Sequence, residues 1–174
     1  MKRIQLPALL LVLLTFVAFL PSDTKDFPKI SGTTLSGKNI TLPDQSRGRF
    51  ILIAVIRTMK AEQEMITWIE PIYNSIAGNS MFQADMYFIP MTGGIQDVSN
   101  ETVKRKLKES MDSSLYKYVM LYTGPVKDYV KQLEMKDKDL PYIFVVDPRG
   151  KITYTATGIY SEKKLEEITD KLAE

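Results

Sequence analysis

The sequence predicts an α/β fold of three layers, with helices on both faces of a mixed sheet and an antiparallel hairpin at its C-terminal edge. Three observations carry this. Phe50 to Ile56, FILIAVI, is a near-continuous apolar run behind Arg47-Gly48, the mark of a strand buried on both faces. Apolar runs of this kind alternate along the chain with segments whose apolar residues recur every three or four positions. Late in the chain, two strand-like runs flank Asp147-Pro148-Arg149-Gly150-Lys151, which reads as a hairpin turn.

Taken in order, Met1-Lys2-Arg3 followed by the uncharged run Ile4 to Pro21 reads as an export signal over residues 1–21. Phe16/Ala18 and Leu20/Ser22 each put a large residue where a small-x-small cleavage site needs a small one, so an uncleaved signal anchor is the other form of the same reading. About 17 apolar residues are the short limit of a span, and Lys2 and Arg3 would stay cytoplasmic. Residues 22–29 are polar with Pro21 and Pro28, a tether to a domain at 30–174. After the strand at Phe50–Ile56, Thr58 caps a helix whose stripe is Met65, Ile66, Ile69, Ile72, Tyr73 and Ile76, kinked by Pro71 and ended by Gly78. Met86 to Met91 is a strand. A helix from Ser99 to Met111 puts Val103, Leu107 and Met111 on one face. Tyr118 to Tyr122 is a strand. Gly124-Pro125 opens a short helix, with Pro125 at its first position and Val126, Tyr129, Val130 and Leu133 as its stripe. Tyr142–Val146 and Ile152–Ala156 are the hairpin strands, and Ser161 caps a last helix that buries Leu165, Ile168 and Leu172.

Composition removes most familiar chemistry. The 174 residues include no cysteine and no histidine. Disulfides, thiolate nucleophiles, Ser-His or Cys-His dyads, Cys/His zinc sites and an N-terminal lipid-modified cysteine are therefore all excluded. Without residues 1–20, basic and acidic residues balance, so no net charge steers the domain to nucleic acid or anionic lipid. Lys104-Arg105-Lys106 and Lys108 read as a solvated helix face beside Glu101 and Glu109. Gly93-Gly94 lacks the flanking residues of a phosphate loop. Met81, Met86 and Met91 recur every five residues but fall on different faces of a strand, as core filling and not as a copper site. Glu166 and Glu167 point to different sides.

The stretch Leu140-Pro141-Tyr142 to Val146, Asp147-Pro148-Arg149-Gly150-Lys151-Ile152, then Gly158 and Ser161, resembles the C-terminal signature of membrane-tethered thioredoxin-like thiol-disulfide oxidoreductases and peroxiredoxins. Ser36 to Asp44, Gly48 and the buried strand resemble that family's entry, so the resemblance runs from about residue 30 to the end. It implies a thioredoxin-like three-layer sandwich with an extra β-α insert before a cis-Pro strand, and a cis peptide at Leu140-Pro141. Tyr122 to Lys131 is similar to the helix-bearing insert of copper-delivery proteins for cytochrome oxidase. Trp68-Ile-Glu-Pro71 and Tyr142 to Gly158 are similar to the thioredoxin-like ATP synthase assembly factor.

In redox members of the family a Cys-x-x-Cys opens the first long helix, where free N–H groups and the helix dipole lower the thiol pKa. Alignment of the strand puts Lys60-Ala61-Glu62-Gln63 there. No thiol chemistry is expected, and no cofactor or metal. The resemblance implies an exported or membrane-tethered thioredoxin-fold protein without redox activity, a protein-binding, assembly or chaperone-like module in the periplasm or cell envelope. Its candidate partner face is the former redox site: Arg57, Thr58, Met59, Lys60, Glu62 and Gln63, with Leu140 and Pro141 beside them. Redox relatives dock extended substrate backbone against the residue before that proline, and strand-like pairing needs no thiol. Two alternatives stand beside this one. The first is a non-thiol enzyme or Met-based copper carrier using Lys60, Glu62 or thioethers, and the second is a non-catalytic subunit of a Cys-bearing partner.

Overall fold

The computed structural model describes residues 24–77, 79, 81–91 and 100–174. The strands are β1 (Ile30–Thr34), β2 (Asn39–Leu42), β3 (Phe50–Ile56), β4 (Ala84–Pro90), β5 (Met120–Leu121), β6 (Tyr142–Val146) and β7 (Ile152–Thr157). The helices are α1 (Met59–Ile72), α2 (Asn100–Ser110), α3 (Lys127–Gln132) and α4 (Glu162–Leu172). One sheet runs β4-β3-β6-β7, with β3 parallel to β4 and antiparallel to β6; the other runs β2-β1-β5. Isolated parallel bridges Phe88–Val119 and Met91–Tyr122 join the two across the β4 edge.

β3 is the centre of the molecule because every residue from Ile51 to Ile56 is buried. Alternation sends Ile51, Ile53 and Val55 to one core, shared with Phe144, Leu42 and Met135. Leu52, Ala54 and Ile56 go to the other, shared with Met65, Trp68 and Ile168. α1 and α4 cover the second face, and the β1–β2 hairpin with α3 covers the first. This is the three-layer α/β arrangement expected.

The β2-β1-β5 sheet is built on a close approach. A Cβ on Gly32 would lie 2.4 Å from the Leu121 carbonyl oxygen, so only glycine lets β1 meet β5. The C-terminal turn needs another glycine. Gly150 has φ of 91°, and its amide donates to the Asp147 carbonyl at 2.9 Å. Asp147 is buried and organises that turn, accepting from the amides of Arg149 and Lys151 at 2.8 Å each and from Arg149 Nε at 2.9 Å. Burial pushes its carboxyl upward, but these donors outweigh that and hold it below the usual 3.8.

Several elements differ from expectation. The hairpin β1–β2 had no strand signal of its own, since ISGTT and NITL are short and polar on one side. The expected tether is seen from residue 24 on. There Phe27 is buried, its amide donates to the Gly150 carbonyl at 2.9 Å, and its ring meets Phe144 edge-on at 5.8 Å. Pro125 stands one residue before the cap Val126 and not at the first helical position of α3. Pro71 lies in the last turn of α1, which passes at Tyr73–Ala77 into a π-helical turn. The Leu140–Pro141 bond is trans, and among the described residues the cis X-Pro bond is Leu42–Pro43. The isomer of an X-Pro bond is set by tertiary packing and not by the dipeptide, which is why a carried-over motif misplaced it. The expected signal at 1–21, Gly78, Gly93-Gly94 and Ser99 fall outside the described residues. Among the described residues no helix is long and apolar enough to cross a membrane.

Candidate docking site at the head of the first helix

Where β3 runs into α1, the chain must satisfy the free N–H groups of a helix start. Thr58 does so. It has extended dihedrals, and its hydroxyl accepts the Ala61 amide at 3.2 Å. The same hydroxyl carries its proton toward Asp139 Oδ1 at 3.0 Å, with the Lys138 carbonyl at 3.3 Å. Next to it, Arg57 Nη2 donates to the Met135 carbonyl at 2.8 Å, while its Nε is buried without a partner among the described residues. Two neighbouring side chains at the β3–α1 junction thus hold the segment 135–139 against the head of α1.

The cap falls on Thr58, two residues ahead of Lys60, where the redox motif had been aligned. The side chain that receives free helix N–H groups here is a threonine hydroxyl, and the residue one turn on, Ala61, is fully buried. Met59, Lys60 and Gln63 turn outward, and Met59 is 81% exposed. Glu62 faces sideways into an apolar cavity. Leu140 is half-buried against the first core, and Pro141 is buried with its carbonyl accepting the Gly158 amide at 3.2 Å. No hydrogen bond among the described residues reaches the Leu140 carbonyl. The structure therefore brings Arg57, Thr58, Leu140 and Pro141 to one seam, with Met59, Lys60 and Gln63 exposed beside it and Glu62 turned away.

Sequence reasoning misassigned the outer face of α1. Ile66, Ile69 and Tyr73 were expected in the core, yet they are 60%, 46% and 46% exposed. The buried stripe is Ala61, Met65, Trp68, Ile72 and Ile76. Trp68, absent from the expected stripe, is fully buried, donates from Nε1 to the Gly158 carbonyl at 2.8 Å and meets Tyr160 edge-on at 5.5 Å. A wider apolar face than one sheet can cover was the available signal, because α1 carries apolar residues on two adjoining stripes. The methionines stay apart: Met91 is in the first core, Met86 packs toward the second, and Met81 is exposed. Among the described residues no three acidic side chains cluster in a way that could hold a metal ion.

Solved structures share the architecture. The thioredoxin domain of a thiol-disulfide oxidoreductase from Bacteroides vulgatus superposes with a TM-score of 0.62 at 21% identity, over 87% of this chain and 97% of that one. A thiol:disulfide interchange protein from Bacteroides sp. gives 0.60 at 21%, over 87% and 90%. The pneumococcal exposed lipoprotein thioredoxin of Streptococcus pneumoniae gives 0.58 at 15%, over 83% and 98%. At such identities the likeness establishes the fold, which is thioredoxin-like. No curated protein sequence matches the chain. The sequence profile of the family described as ATP10 protein matches residues 18–173. That span is nearly the whole chain, and with the thioredoxin-like fold built here from cysteine-free sequence it establishes that the protein belongs to the ATP10 family.

Proposed function

We propose that this protein is a redox-inactive assembly module that grips a protein partner at the head of α1 while its N-terminal apolar segment keeps it on the outer face of a membrane. Membership of the ATP10 family and the absence of cysteine support the assembly reading over thiol chemistry. The observation that carries the site is the Leu140 carbonyl, without a hydrogen-bond partner among the described residues, beside the exposed Met59, Lys60 and Gln63. An extended partner segment would pair with that backbone group and lay an apolar side chain on Met59. Arg57 and Thr58 serve as positioning residues, since they hold segment 135–139 and with it Leu140.

Photo-crosslinking tests this in the native host, with a photoreactive residue at position 60 and a control at position 171 on α4, read by mass spectrometry of the membrane fraction. Capture of one membrane-complex subunit from position 60 alone supports the reading. Capture from position 171 alone, or from neither, overturns it. Protease protection of the same tagged chain in spheroplasts tests the outer-face placement: digestion without lysis of the inner membrane is expected.

A further inference from the structure

One charge at the head of α1 has no counterpart. Arg47, Arg49, Arg105 and Arg149 are exposed, and each is paired with a carboxylate, at 3.2, 3.4, 3.8 and 2.8 Å. Arg57 is the remaining arginine among the described residues, and it is half-buried with no ion pair. Its Nη2 donates to the Met135 carbonyl at 2.8 Å, and its Nε is buried without a partner. Nη1 also has no hydrogen bond but is not among the buried atoms, so the guanidinium is sunk at its root and open at its tip. A cation drawn partly out of water and left unpaired is costly, and the planar fork of arginine is built to take both oxygens of one carboxylate. Asp139 on the same seam does not serve, because its Oδ1 is held by the Thr58 hydroxyl at 3.0 Å and it forms no ion pair with Arg57.

The sheet register says where such a carboxylate would come from. β3 and β6 pair from Ile51–Val146 to Val55–Tyr142, and the same register carried two residues further sets Arg57 opposite Leu140. The Leu140 side chain packs on the first core, which is also the core of Met135, the residue whose carbonyl Arg57 holds. In paired strands a residue directly opposite another sends its side chain to the same face, and its neighbours send theirs to the other. An extended segment paired with the Leu140 carbonyl therefore turns one side chain toward Arg57 and the two flanking it toward the face of α1. We infer that the docked segment carries an aspartate or glutamate opposite Leu140, its carboxylate taken end-on by Nη1 and Nη2 of Arg57, with an apolar residue on either side. This rests on the docking reading and adds the chemistry of the partner.

The test is heteronuclear NMR of the full chain in phosphatidylcholine nanodiscs. The probes are the acetylated, amidated pentapeptide Thr-Val-Glu-Val-Thr and its counterparts with Gln or Lys at the centre. The Arg57 Nε–H signal, assigned by its loss in Arg57→Lys, reports the guanidinium, and the Leu140 amide reports backbone pairing. The Glu peptide is expected to move both signals. The Gln peptide should bind about ten-fold more weakly, the loss of a charge-assisted contact, and the Lys peptide more weakly still. Arg57→Gln should bring the Glu peptide down to the level of the Gln peptide, and an unchanged Trp68 indole N–H signal reports that the fold survives. Where that signal moves, Arg57→Lys, which can still reach the Met135 carbonyl but lacks the fork, should also weaken the Glu peptide and not the Gln peptide. Equal binding of the Glu and Gln peptides, binding of neither, or an equal shift of the Arg57 signal by free acetate at the same concentration would each overturn the inference. Movement of the Leu140 amide by all three peptides alike would keep the docking reading and remove the acid. An acid-dependent shift at Arg57 with the Leu140 amide unmoved would support the carboxylate site and remove the docking reading.

Discussion

The Thr58 hydroxyl stands 3.0 Å from Asp139 Oδ1 and 3.2 Å from the Ala61 amide, so one side chain caps α1 and ties its head to a segment 81 residues downstream. Thr58→Ala should cost about 1 kcal/mol, the usual value of a lost cap, and Thr58→Ser should recover most of it. A double-mutant cycle with Asp139→Ala, followed by urea denaturation, should show a coupling of about 1 kcal/mol. No coupling would mean that cap and clasp act separately.

Asp147 sets a pH dependence. Its carboxyl is held below 3.8 in the folded chain, so its stabilisation is complete above that value and is lost as the pH falls through the lower folded value. In urea titrations from pH 6 to pH 2, the stability gap between wild type and Asp147→Asn should be largest at pH 6 and close in the acid part of that range. A constant gap across the series would contradict the assignment.

Trp68 is the single tryptophan and lies at the junction of α1 with the end of β7. Trp68→Phe leaves the Gly158 carbonyl without its donor and opens a small void, a loss of about 2 kcal/mol measured by circular dichroism. In wild type, fluorescence and circular dichroism should give the same urea midpoint, as expected of one cooperative domain.

Gly32→Ala should destabilise by about 1–3 kcal/mol, because the added methyl meets Leu121 backbone at 2.4 Å. The Leu35 amide, which donates to the Val119 carbonyl at 3.0 Å, should lose hydrogen-exchange protection in the same variant.

Met59→Asp should leave stability within ~0.5 kcal/mol of wild type, given the exposure of that side chain, while abolishing capture from position 60. Loss of stability instead would show that Met59 serves the fold and not a partner.

Most of the fold was legible in the sequence. β3 was read to the residue from its unbroken apolar run, and the caps Thr58 and Ser161 from their place before an amphipathic segment. The residues of the candidate site were also named there, because strand-to-helix junctions are visible locally. Their division of labour was not. Whether Ile66 meets a sheet or solvent, and whether Thr58 finds a carboxylate 81 residues away, depends on how distant elements pack.

The sequence by itself determined the alternation of strands and helices, the hairpin at Asp147–Lys151, and the exclusion of thiol and imidazole chemistry. These rest on composition and on spacing within a few residues. Only the tertiary structure decided that Leu140–Pro141 is trans, that Phe27 docks on the hairpin, and that α1 leaves an apolar flank beside a cavity. Each of these is a contact between segments far apart in the chain, and no local period records what such a contact will cover or leave open.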